Sequence, residues 1–163
     1  MRWRVAILTA SDRGARGEKE DACAQIIREL AEEELQGYVV DYRVVINEMD
    51  EIMAALIEMA DYHEADLIVT TGGTGLGPRD VVPEATGKVA DRPVPGLAEA
   101  MRAAMLQNGR QAMLTRGICA IRGRTLILNV PDHPKWVHVS LAAVLDQLPD
   151  ALRMVTGRSE AAV

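Results

Sequence analysis

Asp66-Leu67-Ile68-Val69-Thr70-Thr71-Gly72-Gly73-Thr74-Gly75-Leu76-Gly77-Pro78-Arg79-Asp80 is the stretch from which the fold is read. An unbroken apolar, β-branched run predicts a strand buried on both faces, and it stops at a glycine-rich loop closing on Arg79 and Asp80. Val81 to Ala90, with Pro83 in its first turn and Glu84 behind it, predicts a helix. A buried strand, a glycine loop and a helix start together favour bound anions. Gly72, Gly73, Thr74 and Gly75 let backbone N–H groups approach a phosphate, and the helix start adds partial positive charge. Arg79 offers a fork of donors to phosphate oxygens. A carboxylate such as Asp80 belongs beside phosphates when a cation such as Mg²⁺ lies between them. The loop is neither of the two commonest phosphate loops. No lysine follows it until Lys88, as a Walker loop would require, and Gly73, Gly75 and Gly77 give G-x-G-x-G rather than G-x-G-x-x-G.

Working outward, Trp3 to Ala10 predicts a buried strand that leaves through Ser11-Asp12-Arg13-Gly14. Cys23, Ile26, Ile27 and Leu30 fall at the spacing of a helix over Asp21 to Leu35 with one buried face. Tyr38 to Ile46 is a second strand rich in valine. Asn47 then reads as the N-cap of a helix carrying Ile52, Leu56 and Met59, with Asp50 at the reciprocal capping position. Downstream, Leu97 to Gln107 is helical, and Gly117 to Ile121 and Thr125 to Val130 form a hairpin around Arg122-Gly123-Arg124. Helical spacing resumes over Val137 to Leu148 and Pro149 to Val155. The alternation implies a three-layer α/β/α fold with a mostly parallel twisted sheet and an antiparallel hairpin addition. Residues 1–157 are expected to form one domain and 158–163 a frayed C-terminal tail.

Composition narrows the functions. The chain has 163 residues, 48% of them apolar but only 3% aromatic with no Phe, so aliphatic side chains must fill the core. A net charge of −6 argues against general nucleic-acid binding, so phosphate affinity must come from a local site. No apolar stretch reaches membrane-spanning length, and Cys23 and Cys119 lack zinc spacing; a soluble cytoplasmic protein with free buried thiols is expected. Ligands of such a sheet bind at the carboxyl ends of its parallel strands, where Ser11-Asp12, Asn47-Glu48 and the glycine loop emerge.

The run Thr70-Thr71-Gly72-Gly73-Thr74-Gly75, followed by Pro78-Arg79-Asp80-Val81 and Pro83-Glu84-Ala85-Thr86, resembles the signature of the MogA/MoaB family of molybdenum cofactor biosynthesis, which includes the G domain of gephyrin. Further matches are Ser11-Asp12-Arg13 with Gly17 and Asp21, Asp91-Arg92 with Pro95-Gly96, Thr115-Arg116, and Ile121-Arg122-Gly123 leading to Leu126-Ile127-Leu128-Asn129. The resemblance implies Mg²⁺-ATP-dependent adenylylation of the terminal phosphate of molybdopterin with release of pyrophosphate. It also implies a homotrimer, with hexamers among MoaB proteins, and a MoeA-like molybdate-inserting partner. Carried over residue by residue, Asp80 and Asn47 become the catalytic and metal positions. Ser11, Asp12, Thr71, Gly72 to Gly75, Arg79, Pro131 and Lys135 become the substrate- and nucleotide-binding set.

Two positions depart from the family pattern. Asn47 stands where an aspartate is usual; it can cap the helix alone, or cap it and ligate a cation through its carbonyl without adding charge. Asp132, in Pro131-Asp132-His133-Pro134-Lys135, replaces a glycine and places a carboxylate near an anion site, which disfavours a phosphate there unless Asp132 faces a cation or the adenine. Both favour an alternative in which a MoaB-like or diverged paralogue binds molybdopterin without efficient adenylyl transfer. Arg92 and Arg116 read as surface or ion-pair arginines, and His133 and His138 as surface polar residues.

Overall fold

The computed structural model describes residues 2–158. Its strands are β1 (Trp3–Ala10), β2 (Gly37–Val45), β3 (Leu67–Thr71), β4 (Arg92–Pro93), β5 (Cys119–Arg122) and β6 (Thr125–Val130). They form one sheet in the order β2-β1-β3-β6-β5-β4. β2, β1, β3 and β6 run parallel, with Ile7 opposite Val69 and Val69 opposite Leu128. β5 and β4 add antiparallel pairs at one edge. The hairpin closes through Gly123-Arg124, and Gly123 takes φ +57°, the left-handed region that a two-residue hairpin turn requires. Arg122 therefore belongs to β5 rather than to the turn. β4 is only two residues long and includes a proline, which an edge position tolerates.

The sheet separates two apolar cores, and strand alternation decides which side chain enters which. Val5, Ile7, Leu67, Val69, Leu126 and Leu128 face one side and Ala6, Leu8, Ile68 and Ile127 the other. On the first side lie α2 (Ala22–Glu33), α5 (Pro95–Leu106), α6 (Pro134–Val144) and α7 (Leu148–Thr156), contributing Ile27, Met101, Leu141 and Leu152. On the second lie α3 (Met49–Ile57) and α4 (Val82–Val89), contributing Ile52, Leu56, Val82 and Ala85. A single helical turn, α1 (Asp12–Ala15), follows β1.

Several boundaries differ from expectation for local reasons. α3 is preceded by Glu48, whose extended backbone holds the cap position without a side-chain bond, so neither Asn47 nor Asp50 forms the expected cap. Beyond α3 the helix widens into a π-turn over Glu58–Tyr62. α6 starts at Pro134, because His133 Nδ1 accepts the Lys135 N–H and caps it. Gly157 caps α7 in the left-handed conformation, and Arg158 stacks its guanidinium over Trp3 and pairs with Asp66. The rest of the expected tail, 159–163, lies outside the described residues. No helix among the described residues is long and apolar enough to cross a membrane.

Candidate functional site

Strand order reverses between β1 and β3, since the connection after β1 leads outward to β2 and the one after β2 crosses back to β3, beyond which β6 lies. The crevice at their carboxyl ends is where an open α/β sheet offers a ligand site. The glycine loop emerges there, and its first half is built into the protein. Gly72 is buried at φ +90°, and a Cβ on it would lie 2.3 Å from Ala10 O. Gly73 has φ +66°, and its Cβ would lie 2.5 Å from Val82 Cγ2. Gly72 N–H bonds Val130 O, and Val82 N–H bonds Gly73 O. These two glycines are thus required by backbone conformation and close approach even without a ligand.

The second half is exposed and held by side chains. Asp80 Oδ2 accepts the Gly77 N–H at 2.8 Å, folding the carboxylate back under Gly75 and Gly77. Arg116 donates to Gly75 O at 2.8 Å and Asp80 O at 2.7 Å, and pairs with Glu84 at 2.6 Å. Its own N–H bonds Thr74 O. Arg116 is an ion-pair arginine, as the sequence suggested, but it also fastens the loop to the start of α4. That second role was missed; the adjacent Thr115-Arg116 match was the available signal.

Below the loop, Asn129 is buried and fully engaged. Its Nδ2 donates to Thr70 Oγ1 at 2.9 Å and Thr86 Oγ1 at 3.1 Å, and its Oδ1 accepts the Ile118 N–H at 3.1 Å. One amide so ties β3, β6, α4 and the approach to β5 together at the base of the crevice.

Two clefts flank this scaffold. The larger, about 350 Å³, has Gly73, Thr74, Gly75 and Asp80 on its floor, with Leu114 and Trp136 among its walls. Pro131 and Asp132 form its near side. The smaller, about 200 Å³, is lined by Ser11, Lys19, Asp21 and Tyr42, and again by Asp132. In it Asp21 Oδ1 caps α2, while Oδ2 accepts from Thr9 Oγ1 at 2.6 Å and from the Tyr42 hydroxyl at 2.5 Å. Burial, followed by the Asp21 carboxylate, pushes the Tyr42 hydroxyl well above its ordinary range. Asp21 is therefore more than a helix cap.

Asp12, Asn47, Glu48 and Arg79 form a polar cluster beside the loop. Arg79 grips Asp12 with two donors, Nε at 2.8 Å and Nη2 at 3.0 Å, and pairs with Glu48 at 3.2 Å. Asp12 Oδ1 also accepts the Asn47 N–H at 2.9 Å. The Arg79 bonds, then the Asn47 N–H, hold the Asp12 carboxyl far below the usual carboxylate range. The fork expected to meet phosphate is thus held by Asp12, 67 residues away in sequence.

Of the expected site residues, Gly73, Thr74, Gly75, Asp80 and Pro131 line the larger cleft and Ser11 the smaller. Thr71 is buried and tethers the loop by donating its hydroxyl to Pro131 O at 3.0 Å. Gly72 is buried beneath the loop. Lys135 places its Nζ 3.3 Å from Asn108 O and 4.9 Å from the ring of Trp136, which lines the larger cleft.

A divalent cation can be tested against the donors present. Asn47 Oδ1 is buried without a hydrogen-bond partner, an unusual state for a polar oxygen, and it lies 3.1 Å from where a Gly73 Cβ would stand. Among the described residues no group of three or more His, Cys, Asp or Glu side chains is placed to hold a metal. A hard cation that arrives on phosphates needs only one or two protein oxygens, and the unpartnered Asn47 Oδ1 and the Asp80 carboxylate are oxygens of the type it takes.

Comparison with known proteins agrees with this architecture. Residues 6–150 match the family described as a probable molybdopterin binding domain. The molybdopterin adenylyltransferase of Helicobacter pylori is 40% identical over 154 residues, covering 94% of this chain and 88% of that protein. The Escherichia coli enzyme of the same name is 36% identical, covering 88% and 74%. Among solved structures, the molybdopterin biosynthesis enzyme MoaB of Thermus thermophilus superposes with a TM-score of 0.90 at 49% identity, covering 96% of this chain and 98% of that one. The tungsten cofactor synthesizing protein MoaB of Pyrococcus furiosus gives 0.84 at 30% identity, covering 95% and 98%. With that match across most of its length, on the sheet order and glycine loop described above, the chain belongs to the molybdopterin-binding domain family shared by MogA and MoaB.

Proposed function

We propose that this protein is a molybdopterin adenylyltransferase acting in molybdenum cofactor biosynthesis. It transfers AMP from Mg²⁺-ATP to the terminal phosphate of molybdopterin. The observation that carries the reading is the pair of clefts that share Asp132, the larger of them floored by the glycine loop, one for each of two substrates that a phosphorus–oxygen bond must join. The larger cleft, with apolar walls at Leu114 and Trp136, suits the nucleotide. A phosphate oxygen of molybdopterin forms the new bond to the α-phosphorus. The bond from that phosphorus to the β-bridging oxygen breaks, and pyrophosphate leaves with the electron pair. The attacking group needs no activation, so the protein's task is alignment and charge neutralisation.

Gly73 to Gly75 seat the phosphates, Ser11 orients the acceptor, and Asp12 keeps Arg79 beside the loop. Asp80 and Asn47 Oδ1 would hold Mg²⁺. When bound, Mg²⁺ neutralises charge on the phosphate oxygens and polarises the α-phosphorus. The homologues' names support the reaction class, and the orphaned Asn47 oxygen supports the cation position. A cytoplasmic homotrimer handing its product to a MoeA-like inserting protein fits this role.

The test is turnover of purified protein with molybdopterin and Mg²⁺-ATP, following pyrophosphate and adenylylated product. Wild type should turn over, and Asp80→Ala should lose at least about 100-fold in rate with unchanged melting. An unchanged rate would remove Asp80 from the mechanism. Asn47→Asp should tighten Mg²⁺ dependence. If only that variant turns over while wild type merely binds molybdopterin, the protein is a diverged binding paralogue.

A further inference from the structure

The two clefts share Asp132, whose carboxylate stands where phosphates of joined substrates must cross. Unmasked, that charge would repel them. It is not unmasked: Lys19 Nζ, from the loop after β1, sits 2.9 Å from Asp132 Oδ2 and lines the smaller cleft. Both side chains remain partly exposed, at 44% and 31%, so the ammonium has two further donors for a ligand.

We infer that Lys19 is a substrate-binding residue that holds the phosphate monoester of the acceptor at the crossing, while masking Asp132, the residue that positions it. The inference rests on the adenylyltransferase reading above for the name of the acceptor, though not for the charge arrangement. Its consequence is selective: Lys19 should govern affinity for the acceptor more than for ATP, and more than the rate of bond formation.

Five proteins decide it: wild type, K19M, D132G, the K19M/D132G double variant, and K19R as the conservative control. K19M should raise KM for molybdopterin about tenfold, with smaller changes in KM for ATP and in kcat. K19R should stay within about threefold of wild type, because it keeps the charge. Adding D132G to K19M should recover much of the loss, since the exposed carboxylate is then gone. D132G alone should raise KM for molybdopterin by about threefold, less than K19M does, because Lys19 keeps its charge but loses the partner that positions it. A pair that only strapped two loops together would give equal losses for both single variants and no recovery in the double. That pattern, a KM within twofold of wild type for K19M, or a K19M defect confined to kcat, would overturn the inference. If wild type shows no turnover, the enzyme reading fails first; equilibrium binding of molybdopterin to the same proteins then decides Lys19 by the same rank order.

Discussion

The two halves of the glycine loop look alike in sequence and behave differently in the fold. Gly72 and Gly73 hold positive φ and touch Ala10 and Val82, so they are part of the packing between β1, β3 and α4. Gly75 and Gly77 have no such backbone requirement; what a Cβ would meet there is the Asp80 carboxylate, at 3.0 and 2.9 Å. One half is a hinge post set into the sheet, the other a flap tied down by Arg116 and Asp80. Glycine content alone therefore does not measure ligand binding: half of it here answers to the fold, and the half open to ligand is held by side chains.

The sharpest way to break this contrast is Gly72→Ala, which should lose about 4 kcal/mol of stability in denaturant titration, combining backbone strain with a clash against main chain. If it melts like wild type, the first half is not structural. Asn129→Ala should follow at about 2–3 kcal/mol, since it strands the Ile118 N–H and leaves two threonine hydroxyls in a buried site without their partner. Arg116→Ala should cost about 1–2 kcal/mol and reduce turnover about tenfold, an effect on the flap larger in activity than in melting. Gly75→Ala should change stability by under about 1 kcal/mol, because the Asp80 side chain can swing away, yet still alter nucleotide KM.

The smallest effect concerns pH. The folded carboxyl of Asp12 lies below its unfolded value, so its contribution to stability is present above about pH 4 and is lost only as pH falls through the lower folded value. Because the pair is exposed, that contribution is small. Acid titration of Asp12→Asn against wild type should show wild type more stable by a small, constant margin above about pH 4, with the two curves converging below it; no margin near neutrality would contradict the clamp.

Much of the fold could be read from local pattern. β1, β3, the β5–β6 hairpin and the α2 cap at Asp21 follow from apolar runs, turn glycines and capping chemistry that a short window contains. What escaped depends on distant partners. Asn47 is drawn out of the cap position, its N–H held by Asp12 from another strand end. Arg79 is held by Asp12 and Glu48, and Lys135 swings to Asn108, so the presence of a cation in a motif did not fix where its charge went. Arg116 appeared a surface arginine because its three acceptors belong to the loop and α4. Asp132 was legible as an anomaly beside phosphate, while the lysine that answers it lies 113 residues earlier.

The two thiols acquire a different meaning in this arrangement. Cys23 sits on α2 beneath the smaller cleft, and burial, then the Asp132 charge, pushes it up to about 11. Cys119 sits on β5 in the antiparallel edge, pushed up to about 12 by burial. Neither forms thiolate at neutral pH while the fold is closed, so a thiol reagent reacts only as fast as each region breathes. Without any added label, the protein carries one clock for the crevice and another for the sheet edge, and their two rates report which opens first.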